Sequence, residues 1–185
     1  MDEYPRYETV LDEELVKRAQ DGDNIAVNIL VDRHHAVVFS KCLAIIGDED
    51  LAADASQESF IKAFRSLDRF RGDSSFKTWL LAITINESRG FLRKIGRLRE
   101  QVLEGVREIV DPGNDPMTEV VIRSEADRIR KAMSGLPKKQ RLSVMLRIED
   151  GLSFKEISKI IGSSDVSARV NYHNGIHRLR ELLEP

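Results

Sequence analysis

The sequence predicts an all-α protein made of two small helical domains joined by a flexible linker. Three observations carry that expectation. Apolar residues recur at helical spacing along most of the chain. Asp or Ser before these runs and Gly after them act as starts and stops, separated by the short connections a helical bundle uses. Hydrophobic residues make up 41% of the 185 positions but aromatics only 6%, so the core must be rich in Leu, Ile and Ala.

In chain order, Asp12 is expected to cap a first helix whose opening turn carries Glu13 and Glu14, charges suited to the positive end of a helix dipole. That helix ends near Gly22. Asp23 then caps a longer helix running to Gly47, with Ala26, Ile29, Leu30, Val37 and Val38 on its apolar face. A third helix follows Asp48-Glu49-Asp50; Leu51, Ala55, Phe60, Ile61 and Phe64 are its apolar positions, and Asp54, Gln57, Glu58 and Lys62 lie on the polar side.

The stretch from Phe70 to Lys94 joins a polar loop to a fourth helix. Arg71-Gly72-Asp73-Ser74-Ser75 has turn-forming residues, and Phe70 and Phe76 flank it as aromatic anchors. Ser75 is the expected N-cap. Phe76, Trp79, Leu80, Ile83, Phe91 and Leu92 form an apolar stripe, and Lys77, Arg89, Arg93 and Lys94 form a basic one. Residues 10–95 therefore read as one four-helix domain.

Residues 96–116 read as the linker. They include Asp111-Pro112-Gly113-Asn114-Asp115-Pro116, whose prolines discourage helix. Residues 117–185 form the second domain. It is expected to hold a helix from Thr118 to Ser134, broken by Gly135-Leu136-Pro137, and another from Lys138 to Glu149 with Leu142, Met145, Leu146 and Ile148 apolar. Ser153 and Glu156 form a capping box before a short helix that turns Ile157, Ile160 and Ile161 inward. After Gly162-Ser163-Ser164 a last helix runs from about Asp165 to Leu183. Two helices joined by a short Gly-containing turn describe a helix-turn-helix, whose second member enters the DNA major groove. On that member Ser164, Ser167, Arg169, Asn171 and His173 are candidate donors to phosphates or base edges.

The net charge of −2 hides a segregation along the chain. Residues 1–61 hold 5 Lys+Arg against 14 Asp+Glu, whereas residues 62–101 hold 10 against 4 and residues 137–185 hold 9 against 6. A polyanion would find two footholds, and a basic partner surface could meet the acidic first third. Other chemistry is not visible. No nucleophile with its base, paired acids, phosphate loop or metal cluster stands at a working spacing, so neither an enzyme nor a cofactor is expected. His173 and His177 lack further ligands at hand, and the adjacent His34 and His35 point to different helix faces. Cys42, the single cysteine, sits in an apolar run and reads as a buried structural thiol. No run is long enough to span a membrane, and Met1-Asp2-Glu3 is unlike a secretory leader; a cytoplasmic protein is expected.

At this point the residues carry a resemblance. The run from Asp54 to Phe64, DASQESFIKAF, is similar to the core-polymerase-binding helix of extracytoplasmic-function sigma factors, bacterial transcription initiation factors of the sigma-70 family. The run from Phe70 to Leu80, FRGDSSFKTWL, resembles that family's promoter-melting loop and the helix after it. Leu136 to Arg141 and Glu149 to Ile157 resemble its reader of the minus-thirty-five element. Gly90 departs from the Asp frequent in the family. Val170, Asn171, Asn174 and Gly175 depart from the frequent Ser, Arg, Arg and Ala, leaving fewer cations for phosphate contacts.

The resemblance implies a factor that binds core RNA polymerase through Asp54, Gln57, Glu58 and Phe60 and directs it to promoter DNA. The first domain would be sigma region 2, melting and reading the minus-ten element through Arg71, Asp73, Ser74, Ser75, Lys77, Trp79, Asn86, Arg89, Arg93 and Lys94. The second would be region 4, reading the upstream element through Lys155, Ser164, Ser167, Arg169, Asn171 and His173. An anti-sigma factor is the expected regulator. The alternative is a sigma mimic that sequesters an anti-sigma factor without reading DNA.

Overall fold

The computed structural model describes residues 9–105 and 125–184, and the regular elements among them are all helical. The chain divides into two compact units, with the boundary between Gly90 and Phe91.

The first unit is built from α1 (Asp12–Gln20), α2 (Asn24–Ile46), α3 (Glu49–Arg65), a 3-10 turn at Leu67–Arg69 and the start of α4 (Phe76–Gly105). Asp23 caps α2 as expected, its carboxylate accepting from the backbone N–H groups of Ile25 and Ala26 at 2.8 and 3.2 Å. Gly47 closes α2 at φ 80°, a left-handed conformation that residues with a Cβ rarely adopt. Asp48 opens α3 by accepting from Leu51 N at 2.9 Å.

Asp12 does something else. The N-cap of α1 is Leu11, with no side-chain cap, and Asp12 is the first helical residue. Its carboxylate reaches across to α2, 2.9 Å from Arg33 Nη1 and 2.7 Å from His34 Nε2. A carboxylate can only accept, so His34 presents Nε2–H to it. The pairing ties α1 to α2 where a local cap could not.

Small residues set how closely α3 approaches α2. Ala52, Ala55, Ser56, Ser59 and Ala63 are buried on one face of α3, which packs against α2, where Ile29, Leu30, Val38 and Cys42 are buried. Val37, expected inward, is half-buried. Cys42 is fully buried as predicted, and its Sγ lies 3.4 Å from Ser88 Oγ of α4. Burial pushes its pKa up, which keeps it protonated and inert.

On α4 the buried residues are Phe76, Thr78, Leu80, Leu81, Thr84, Ile85 and Ser88. The expected stripe holds at Phe76 and Leu80, but Trp79, Ile83, Phe91 and Leu92 are only half-buried. The hydroxyls of Thr84 and Ser88 are tolerated inside because each donates to the carbonyl four residues back, at 2.9 and 2.8 Å. Leu81 and Ile85, which the expected stripe left out, are fully buried. The helix also continues past Lys94 to Gly105, so the first part of the stretch read as linker is helical; the Pro-containing run 111–116 lies outside the described residues.

The second unit contains α5 (Glu125–Ser134), α6 (Lys138–Ile148), α7 (Phe154–Ile161) and α8 (Asp165–Leu183). The part of the expected first helix before Glu125 lies outside the described residues. Leu142, Met145 and Leu146 are buried as predicted, whereas Ile148 is exposed and Val144 takes the inward position. Ile157, Ile160 and Ile161 turn inward from α7, and Ala168 and Gly175 are the buried residues of α8. Gly175 marks a close crossing with α6: a Cβ there would stand 2.7 Å from Val144 Cγ2 and 3.3 Å from the Gln140 carbonyl oxygen.

Two outcomes are expected. The Asp12 carboxyl is held below its usual pKa chiefly by the His34 hydrogen bond, against partial desolvation and with help from Arg33. Because the folded-state value is the lower one, the stabilisation is complete above the ordinary carboxylate range and is lost as pH falls through the depressed value. The carboxyl is only half-buried and solvent screens the pair, so Asp12→Asn is expected to cost about 0.5–1 kcal/mol at neutral pH. The gap from wild type should close in acid, as urea unfolding at both pH values would register. Gly175→Ala gains about 1 kcal/mol of helix propensity but overpacks the crossing, a cost of about 1–3 kcal/mol, so a net loss is expected. Adding Val144→Ala should recover part of it, a non-additivity measurable in a double-mutant cycle.

Candidate functional site

The loop between Phe70 and Phe76 stands out from the first unit. Arg71, Gly72, Asp73 and Ser75 are exposed and Ser74 is half-buried, with Gly72 at φ 77° making the turn. What holds it is aromatic. The Phe70 ring packs edge-on to Phe76 at 6.1 Å and tilts against Trp79 at 5.2 Å, and Phe76 and Trp79 are 5.9 Å apart. Phe76, fully buried, also meets the His34 ring at 5.4 Å. Trp79 is thus part of the brace as well as a half-exposed surface. The Ser75 hydroxyl caps α4, accepting from Thr78 N at 3.1 Å and pairing with Thr78 Oγ1 at 2.9 Å.

The cationic face behind the loop is not one stripe. At about 100° per residue, Asn86, Arg89 and Arg93 share the side of α4 opposite its buried face, whereas Lys77 falls roughly half a turn away from Asn86. Lys77 is half-buried beside the loop, and Arg93, Lys94 and Asn86 are exposed. The structure brings Asn86, Arg89 and Arg93 together and sets Lys77 and Lys94 apart from them.

On α3, Asp54, Gln57 and Glu58 are exposed on one face, as the sequence predicts. Phe60 is not. It is 7% exposed and stacks on Phe64 at 6.2 Å, because its position turns it toward α2 rather than outward. Phe60, Phe64, Gln57 and Ser56 of α3 line one side of a groove of about 620 Å³, with His35 and Phe39 of α2 opposite. Ser56 Oγ is buried there without a hydrogen-bond partner.

In the second unit, hydrogen bonds fix the helix-turn-helix. Ser153 and Glu156 form the predicted reciprocal cap: Glu156 Oε2 accepts from Ser153 N at 2.8 Å, and Ser153 Oγ accepts from Glu156 N at 3.3 Å. The Ser153 hydroxyl, which also donates to Glu156 Oε2 at 2.7 Å, and secondly the Ser153 backbone N–H hold the Glu156 carboxyl below its usual pKa. Gly162 takes the left-handed turn at φ 67°, Ser163 N bonds back to the Ser158 carbonyl at 2.9 Å, and Ser158 Oγ donates to the Asp165 carboxylate. Helix α8 consequently leaves the turn at a fixed angle.

Its candidate readers are partly occupied. Ser164 Oγ is the N-cap, accepting from Ser167 N at 3.1 Å. Asn171 Nδ2 donates to the Ser167 carbonyl at 2.8 Å, and the Arg169 guanidinium lies over the Phe154 ring at 5.2 Å. Arg147, which sequence reasoning passed over, lies over the same ring at 5.1 Å. Lys155 and His173 are exposed. Val170, noted in the sequence as a departure, and Val166 stand on the surface: Val166 is 72% and Val170 50% exposed, one turn apart and opposite the buried Ala168.

No helix among the described residues is long and apolar enough to cross a membrane. Two family models match the chain: Sigma-70 region 2 over residues 30–98 and Sigma-70, region 4 over residues 126–179. The ECF RNA polymerase sigma-E factor of Haemophilus influenzae is 34% identical over 96% of this chain and 95% of its own length. The sigma-E factor of Escherichia coli K12 is 33% identical over 96% of this chain and 94% of its own. Among solved structures, the chain resembles the sigma factor RpoE of Bartonella quintana, determined in complex with the anti-sigma factor NepR. That likeness has a TM-score of 0.68 at 25% identity and covers 85% of this chain and 96% of the other. With both regions matched in order and a third of residues shared along nearly its whole length, the chain belongs to the extracytoplasmic-function family of RNA polymerase sigma factors.

Proposed function

We propose that this sigma factor divides promoter recognition between an exposed loop in residues 10–95 and a recognition helix in residues 117–185, and that α3 docks it on core RNA polymerase. The observation that carries this reading is the braced loop. A run of exposed polar residues is held at both ends by aromatic rings, with a cationic helix face behind it. Arg89 and Arg93, with Asn86, would hold the promoter backbone, Lys77 and Lys94 adding charge from the flanks. Arg71, Asp73, Ser74 and Ser75 would capture a base turned out of the stack, with Trp79 as an apolar wall. Unstacking costs a few kcal/mol, which such a pocket can offset.

Asp54, Gln57 and Glu58 supply the acidic face for a basic polymerase surface, and Phe60 contributes as the floor of the adjacent groove. An anti-sigma factor would act by covering these same surfaces. The protein works as an initiation factor in the cytoplasm and catalyses no reaction of its own.

On α8 the outward centre is Val166 and Val170, flanked by Ser167 and Arg169, with Lys155 on α7 and Asn171 and His173 further along the helix. Apolar side chains in the major groove meet thymine methyl groups, so this helix would read thymines.

Reconstitution decides the reading. Core polymerase plus this chain is expected to give run-off transcripts from cognate promoters, and Asp54→Lys with Glu58→Lys to give none, with core affinity reduced more than tenfold, over about 1.4 kcal/mol. A chain that binds an anti-sigma factor but yields no transcript from any promoter would be a mimic instead. In the upstream element, replacing thymine by deoxyuridine should weaken binding about fourfold per methyl contacted, from about 0.8 kcal/mol per buried carbon. Val166→Ala with Val170→Ala should be insensitive to the replacement in fluorescence anisotropy.

A further inference from the structure

The exposed loop from Arg71 to Ser75 has little packing of its own, so its direction depends on the residues where it begins. Those residues are gripped from α1. Gln20, the last residue of α1, donates from Nε2 to the Leu67 carbonyl at 2.9 Å and lies 3.4 Å from the Phe70 carbonyl. Leu67 O also accepts from Phe70 N at 2.9 Å. One side-chain amide therefore gathers the first carbonyl of the 3-10 turn and the last carbonyl before the loop. The Phe70 carbonyl belongs to the peptide that leads into Arg71, so orienting it orients the loop's departure.

Gln20 can impose that orientation because α1 is itself fixed at both ends. Asp12 binds Arg33 and His34 of α2 at one end. At the other, Asp21 N, Gly22 N and Asp23 N bond back to the carbonyls of Lys17, Ala19 and Arg18 at 3.0, 3.1 and 2.9 Å. His34 also touches the Phe76 ring, which anchors the far end of the loop. Both ends of the loop are thus referred to the same pair of helices.

We propose that Gln20 is a positioning residue for promoter melting, acting through the Leu67 and Phe70 carbonyls on the loop that captures the unpaired base. It touches no DNA. The inference rests on the reading of that loop as the base-capturing element, and the test separates the two. Gln20→Met and Gln20→Glu keep the side-chain length but cannot donate, and the carboxylate would face two carbonyl oxygens.

Holoenzyme reconstituted with each variant is titrated with a single-stranded oligonucleotide carrying the minus-ten strand of a promoter selected in vitro with the wild-type holoenzyme. Affinity for that strand, and the rate of open-complex formation on the duplex, are expected to fall about tenfold for Gln20→Met and further for Gln20→Glu. Core-polymerase affinity and binding of the upstream duplex should be unchanged. A parallel variant, Arg71→Ala with Asp73→Ala, reports on the loop itself. Loss in the loop variant with none in either Gln20 variant overturns the positioning role alone. No loss in any variant overturns base capture and this proposal with it. A Gln20 variant whose core-polymerase affinity falls in step with its strand affinity also overturns it, since the amide would then support the unit as a whole.

Discussion

The burial of one ring, Phe76, is the constraint on which the first unit depends. It is fully enclosed, touching His34, Phe70 and Trp79. That single position begins α4, closes the exposed loop and joins α4 to α2. Aromatic pairs of this kind add about 0.5–1.5 kcal/mol each beyond the area they bury. A polar loop gains nothing from burial, so it can remain outside only if its ends are held this way. The Gln20 amide completes the arrangement by holding the loop's first carbonyls.

The second unit solves a similar problem with different chemistry. Its functional helix must leave a tight turn at a fixed angle, and hydrogen bonds do what aromatic rings do in the first. The Ser153 and Glu156 cap, the Ser158 to Asp165 bond, the left-handed Gly162 and the Ser164 cap define the turn from both sides. Gly175 lets α8 lie so near α6 that no Cβ fits without displacement. In sequence Gly175 looks like a weakening of the recognition helix; in the fold it is what allows the crossing. In both units the exposed polar groups stand on elements whose own geometry is already settled, an arrangement that lowers the ordering cost of binding a partner.

Electrostatics differ in kind between the surfaces. The side of α4 bearing Asn86, Arg89 and Arg93 suits a phosphate backbone, which any sequence supplies. The outward face of α8 has fewer cations and two valines at its centre, a surface suited to base edges more than to charge. The exposed acids of α3 have the opposite sign and stand beside an apolar groove, so they suit a basic protein surface.

The sequence by itself determined the helical class, most helix starts and the positions of the polar loop and the helix-turn-helix, because caps, turn glycines and 3.6-residue periodicity are local signals. Asp23, Asp48, Ser75, Ser153 and Ser164 act within a few residues of themselves. Only the tertiary structure decided where side chains of ambiguous character would go. Asp12, expected to cap α1, became an interhelical partner; Thr84 and Ser88 are buried despite their hydroxyls; Phe60, a candidate polymerase contact, lines a groove; Val166 and Val170 face outward although apolar. Gln20 carried no signal at all, since its meaning is a bond to carbonyls 47 and 50 residues away. Periodicity says that a residue is on a face; which neighbour that face meets is set by the packing of whole helices.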